Sequence, residues 1–145
     1  MSEDEETIRR LVMELQILQG TGESIQTRIG LTNAAIKELQ IATYTIEGLK
    51  NEKKGSSLLV PIGGGSYVKA KVEDSESLIV GIGANIATEK SINDGQKGFQ
   101  TRILQLEKVG NSLQQQLEEI VTRITKTRNQ LQILSERSRE GKRNV

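Results

Sequence analysis

From Ile8 onward, apolar residues recur at alternating steps of three and four: Ile8, Leu11, Leu15, Leu18, Ile25, Ile29, Ile36, Leu39 and Ile46. This is a heptad seam, interrupted at Gly22, Thr32 and Thr43, and it predicts an amphipathic helix. Ser2 with Glu5 offers a capping box, and the acidic run Glu3 to Glu6 suits the positive end of the helix dipole. Lys53 and Lys54 followed by Gly55 supply a basic last turn and a glycine stop. The expected helix is about 45–50 residues, or about 70 Å, long. A second seam follows the same rule through Phe99, Ile103, Leu106, Leu113, Leu117, Ile120, Ile124, Leu131 and Leu134, broken at Gly110 and Thr127. Ser91 with Asp94 is its expected cap, and Arg137, Arg139, Lys142 and Arg143 close it where the dipole is negative. The seams are nearly equal in length. An antiparallel fold-back therefore sets Ile8 against the Leu134 region and Ile46 against Phe99, with both chain ends at the far tip.

Between the seams the apolar period changes to two. Leu58, Val60 and Ile62 alternate with Leu59 and Pro61, Gly63-Gly64-Gly65-Ser66 interrupts, and Val68, Ala70 and Val72 alternate with Tyr67, Lys69 and Lys71. This predicts a β-hairpin. Leu78 to Ile82 and Ala84 to Thr88 predict a second, turning near Gly83 and Asn85, with Glu73-Asp74-Ser75 as the link. The fold class is α+β, mainly α: a long antiparallel two-helix coiled coil joined by two β-hairpins. As one domain over 1–145 it divides into a helix at 1–54, the hairpins at 55–90 and a helix at 91–145. Strands this short bury too little to stand alone, and a small open sheet with apolar residues on both faces is a template for strand addition. Oligomerisation through the centre is expected. The helices then either project outward from the assembly or pack with other such hairpins into a compact bundle, which would leave the same seam.

Composition narrows the function classes. The only aromatics in 145 residues are Tyr44, Tyr67 and Phe99, and the hydrophobic share is 34%, too little to fill a large round core. Charged residues make up 27% at a net charge of +1, so no strong electrostatic pull toward nucleic acid is indicated. Without cysteine or histidine, disulfides, thiolate chemistry, the usual zinc sites and the ordinary proton shuttle near neutral pH are absent. An enzyme is disfavoured, with no cofactor, no metal and no catalytic residue expected. No signal-peptide core and no stretch approaching the roughly 18 apolar residues of a membrane span is present, so a cytoplasmic protein without a membrane partner is expected.

Candidate chemistry is sparse. Gly63-Gly64-Gly65-Ser66 lacks the spacing and Gly-Lys-Ser/Thr ending of a phosphate loop and reads as a turn. Gly81 and Gly83 mark a bulge or a close strand approach. Carboxylates such as Glu118 and Glu119 fall on solvated helix faces with no cleft to occupy. The basic run Arg137 to Arg143 has no interleaved aromatics for base stacking, and helix termination explains it. More informative are Ile8, Leu11, Val12 and Leu15 beside Leu131, Ile133 and Leu134 at the outer end. Seam packing accounts for most of their area. Val12 and Ile133 lie off the strict seam and leave apolar surface at the tip, which a binder of unfolded chains requires. Gly20, Gly22 and Gly30 inside the first helix each cost about 1 kcal/mol relative to alanine. They mark either a thin tolerated seam or a softened arm.

The layout resembles the prefoldin α class over essentially the whole chain. The specific part is the centre: Val60-Pro61-Ile62-Gly63-Gly64-Gly65-Ser66-Tyr67-Val68-Lys69-Ala70, then Val80-Gly81-Ile82-Gly83-Ala84-Asn85, then Glu89-Lys90-Ser91. Two hairpins look like the α type, since a β-type subunit is expected to have one. The resemblance implies an archaeal-type hetero-hexamer of two α-type and four β-type subunits, with a β-barrel platform from which coiled coils hang. Their tips would capture non-native client proteins without ATP and pass them to a group II chaperonin. Carried onto this chain, Leu58, Val60, Ile62, Tyr67, Val68, Val72, Leu78, Val80, Ile82 and Ile86 would build the platform. Ile8, Leu11, Val12, Leu15, Leu131, Ile133 and Leu134 would touch clients. The helical glycines, with Gly95 and Gly98, are more numerous than the family leads one to expect and bear on arm rigidity. A structural filament or scaffold subunit assembled through the same β module is the alternative.

Overall fold

The computed structural model describes residues 2–143. The element order is α1 (Glu3–Lys50), β1 (Ser57–Gly63), β2 (Ser66–Lys71), β3 (Ser77–Gly83), β4 (Ile86–Ser91) and α2 (Ile92–Arg143). The chain divides into two compact units, one holding the chain up to Ala34 and from Glu107 onward, the other Ala35–Leu106.

The helix caps form as the sequence leads one to expect. Ser2 Oγ accepts the Glu5 amide at 3.2 Å, and Ser91 Oγ accepts the Asp94 amide at 3.1 Å. The C-terminal stop of α1 differs. The helix ends at Lys50, and Gly55 belongs to the hairpin base instead. At φ 88° Gly55 swings the chain onto β1 and donates its amide to the Val72 carbonyl at 2.6 Å, while the Val72 amide returns to the Ser56 carbonyl at 2.9 Å.

In the first unit the seam is the core. Leu11, Leu18, Ile25 and Leu113 are buried, with Ile8, Leu15, Ile29, Leu117, Ile120, Ile124, Leu131 and Leu134 half-buried around them. Each fully buried Leu or Ile contributes about 1.5–3 kcal/mol. The breaks in the apolar pattern are part of the seam. A Cβ on Gly22 would lie 3.5 Å from Ile120 Cγ2, and one on Gly110 would lie 3.8 Å from Thr32 Cγ2, so small residues stand opposite larger ones and the two helices run antiparallel. Thr127 is buried too, and the Thr32 hydroxyl donates to the Arg28 carbonyl at 2.8 Å, which satisfies it within its own helix. Near the helix ends Arg137 grips Asp4 in a fork, Nε to Oδ2 at 3.0 Å and a terminal nitrogen to Oδ1 at 2.6 Å. That hydrogen-bonded guanidinium holds the Asp4 carboxyl below its ordinary value and raises Arg137.

In the second unit Ile46, Val72 and Ile92 are buried, and the Gln96 side chain joins the helices by accepting from Lys50 Nζ and donating to Glu47 Oε1. The four strands form two separate two-stranded antiparallel sheets, β1-β2 and β3-β4, in place of one open sheet. The hairpins repeat one another at an offset of 20 residues. Ser57-Leu58, Val60 and Ile62-Gly63 recur as Ser77-Leu78, Val80 and Ile82-Gly83. Their registers match as well: Leu58 pairs with Ala70 and Val60 with Val68, as Leu78 pairs with Lys90 and Val80 with Thr88, each with a bulge before the turn. Each turn takes two successive positive φ values, 59° and 73° at Gly64-Gly65 and 50° and 61° at Ala84-Asn85, after a glycine above 100°. Ala84 and Asn85 are therefore turn, and β4 begins at Ile86, two residues later than hydropathy suggested.

The link between hairpins is an Asp turn. Asp74 accepts the Glu76 amide at 2.8 Å and the Ser77 hydroxyl at 2.7 Å, and these bonds hold its carboxyl low. Gly95 in the first turn of α2 has a packing reason, since a Cβ there would meet Leu78 Cδ1 at 2.8 Å. Gly20 and Gly30 have none, facing open space on the exposed side of α1.

Two outcomes follow for stability. Gly20→Ala with Gly30→Ala should raise the thermal midpoint followed by helical circular dichroism, each substitution contributing about 1 kcal/mol. Asp4 and Asp74 hold depressed values in the folded state, so their stabilisation is complete above the unfolded carboxylate value near about pH 4 and is lost as pH falls through the lower folded values. Asp4→Asn should accordingly flatten the acid limb of a melting-midpoint against pH curve and leave the curve's shape near neutrality unchanged.

Candidate functional site

The first unit carries apolar surface beyond its seam. Of the expected tip residues, Ile8, Leu11, Leu15, Leu131 and Leu134 face the partner helix, and Leu11 is only 6% exposed. Val12 and Ile133 stand outside, 40% and 64% exposed. Two residues that sequence reasoning passed over are as prominent: Met13 at 58% and Ile17 at 67% exposed. They sit four apart on one face of α1 and, with Leu18 and Ile120, line a groove of about 620 Å³ bordered by Arg9, Arg10, Arg123, Glu6 and Glu14. Helical spacing could have found them, because Met13 and Ile17 form an i, i+4 pair off the heptad positions. Ile133 belongs to a second groove of about 520 Å³ along α2, where Val121, Thr125, Asn129 and Ile133 follow at steps of four beside Lys126.

The second unit exposes the hairpins. Val60, Ile62, Tyr67, Val68, Ile82 and Ile86 are all exposed, as are Leu59 and Ile79 on the same strands. Ile79 is 82% exposed. Leu58, Leu78 and Val80 are half-buried, the last two against Gly95 of α2. Val72 is buried at the hairpin base, just past β2, so it serves the unit's own packing. In each sheet successive residues point to opposite faces, so the Val60–Val68 pair lies on one face and the Pro61–Tyr67 pair on the other. Both faces present apolar side chains, and among the described residues the outer edge of every strand pairs with no other strand. Isolated two-stranded sheets with such edges are marginal and add further strands readily.

The perturbed carboxyls, Asp4 and Asp74, are explained by the ion pair and the turn described above. Among the described residues no group of His, Cys, Asp or Glu could hold a metal ion, and no helix is long and apolar enough to cross a membrane. The surfaces are suited to binding extended apolar strands at the hairpins and apolar segments along the helices.

Comparison with known proteins bears on both. The family model for Prefoldin, described as prefoldin subunit, matches residues 18–137. Prefoldin subunit alpha 1 of Thermococcus kodakarensis is 36% identical over 103 residues, covering 71% of this chain and 70% of that protein. Prefoldin subunit alpha of Pyrococcus horikoshii is 30% identical over 125 residues, covering 86% of this chain and 84% of its own length. Among solved structures, the cryo-EM structure of filamentous PFD from Methanocaldococcus jannaschii superposes with a TM-score of 0.68 at 27% identity, covering 77% of this chain and 93% of that one. A match that takes in both hairpins and most of both helices shows that the chain belongs to the prefoldin family, grouping with its α subunits, and that its function is of the chaperone kind.

Proposed function

We propose that this chain is a subunit of an ATP-independent holding chaperone, which captures non-native proteins on the apolar surfaces beside its helix seam and passes them to a group II chaperonin. The carrying observation is the exposure of Met13 and Ile17, with Val12, Val121 and Ile133, beside a seam that buries or half-buries its own leucines and isoleucines, in a chain that also exposes Leu31, Ile41, Tyr44 and Leu104 along its helices. Apolar side chains that their own fold leaves this exposed are available to a client. The unpaired strand edges and apolar hairpin faces support assembly with β-type prefoldin subunits in the cytoplasm, two α-type with four β-type, the strands closing into a barrel platform. Several such arms on one platform bind a single client with avidity although each contact is weak. Release then comes by stepwise removal of contacts, with no nucleotide and no chemistry.

The client surface is tested at residues that the seam does not use. Leu11 is buried, so replacing it would disturb helix pairing as well as binding. Met13→Ser with Ile17→Ser should preserve helix content and assembly while reducing aggregation suppression of a chemically unfolded client several-fold, measured by light scattering without ATP. Undiminished suppression by a normally assembled variant would overturn the placement of the client surface.

A second reading, a filament or scaffold subunit using the same hairpins for open-ended assembly, is favoured by the likeness to a filamentous PFD. Size-exclusion light scattering separates the two readings. A closed hexamer formed with a β-type subunit keeps one mass across dilution, whereas a filament of this chain alone grows with concentration.

A further inference from the structure

The polar borders of the helix grooves differ from the chain's overall balance, and this bears on what the grooves take. The Met13–Ile17 groove is bordered by three arginines, Arg9, Arg10 and Arg123, against Glu6 and Glu14. Glu14 lies 3.8 Å from Arg123, close enough to offset it. Arg10 makes no ion pair or hydrogen bond among the described residues, so its charge is available at the rim. The acidic run at the start of α1 contributes only Glu6 to this border, and its Asp4 is held by Arg137. The Val121–Ile133 groove has one charged neighbour, Lys126, and no carboxylate. From Val121 to Arg143 the chain carries seven cations and two carboxylates, although its net charge is only +1.

Resting on the reading of these grooves as the client surface, we propose that they select apolar segments that carry aspartate or glutamate, and disfavour apolar segments flanked by lysine or arginine. The apolar floor supplies the attraction common to all clients, and the basic border discriminates among them. An acidic side chain beside a docked Leu or Phe meets Arg10 or Lys126, while a basic one meets like charge at the same place. The discrimination lies at an exposed rim, so it is moderate in size and screened by salt.

The test uses the assembled full-length protein and two fluorescein-labelled unstructured peptides with identical apolar residues, one with glutamate and the other with lysine at every polar position. Anisotropy titration should find the glutamate peptide bound about five-fold or more tightly, an advantage that shrinks as salt is raised. Arg10→Glu with Lys126→Glu should remove or reverse the preference. Met13→Ser with Ile17→Ser should weaken both peptides together. Equal affinities that both fall in the Met13/Ile17 variant would overturn the charge selection and leave the client surface standing. Affinities for both peptides untouched by that variant would overturn the surface itself. Co-sedimentation with vesicles of anionic phospholipid, with neither peptide bound, would reassign the grooves to a membrane surface and overturn the proposal.

Discussion

Everything in this molecule depends on a narrow seam in which leucine and isoleucine of one helix meet their counterparts on another. A chain with a 34% hydrophobic share and three aromatics has little apolar content to spare, and beyond the seam the buried apolar residues among those described are Val72 and Ile92 of the second unit. Leu11, Leu18, Ile25 and Leu113 are buried because both helices commit the same face to each other, and the breaks at Gly22 and at Gly110 with Thr32 fit because a small residue there meets a side chain of the other helix. With so much of the apolar content committed there, many large apolar side chains off the seam stand in solvent. Exposure at Met13, Ile17 and Ile133 is thus a direct result of the fold, since a two-helix pairing has outer faces that nothing among the described residues covers.

How legible this was depended on the kind of signal. Three-four spacing is a backbone period, and the residues assigned to the seam by spacing are those that the structure buries or half-buries, from Ile8 to Ile46 and from Phe99 to Leu134. Boundaries were less legible. Ala84 reads as a strand residue by hydropathy, yet the turn needs two residues at positive φ, and alanine gives no compositional hint that it will supply one. Gly55 looked like a helix stop because lysines precede it, whereas its left-handed conformation is used to enter β1. Of the exposed apolar positions beside the seam, Val12 and Ile133 were legible as off-seam residues. Met13 and Ile17 were not, because a search anchored on heptads discounts the positions between them. Val72, which the family resemblance puts among the platform residues, is buried at the hairpin base within its own unit.

The glycines separate into kinds by what surrounds them. Gly22 and Gly95 are matched to Ile120 and Leu78, so they belong to packing, while Gly63 and Gly83 adopt a φ above 100° that side chains avoid. Gly20 and Gly30 touch nothing. Their cost in helix propensity is unrecovered by any contact, which makes that stretch of α1 weaker in local helix preference than its seam alone would suggest.

The sequence separations of the contacts carry a kinetic consequence. Each hairpin closes over a two-residue turn, and Lys50 reaches Gln96 across 46 positions, but Asp4 and Arg137 are 133 positions apart. Closing the longest loop directly costs the most chain entropy. Once the hairpins and the nearby helical residues have met, each further seam layer adds only a few residues to a loop already closed. Zippering outward from the centre is therefore the inexpensive route, and opening retraces it from the Asp4–Arg137 end. By that argument the stretch holding Met13 and Ile17 pairs late, so the apolar side chains it exposes lie on a part of the helix whose local opening disturbs few of the remaining contacts.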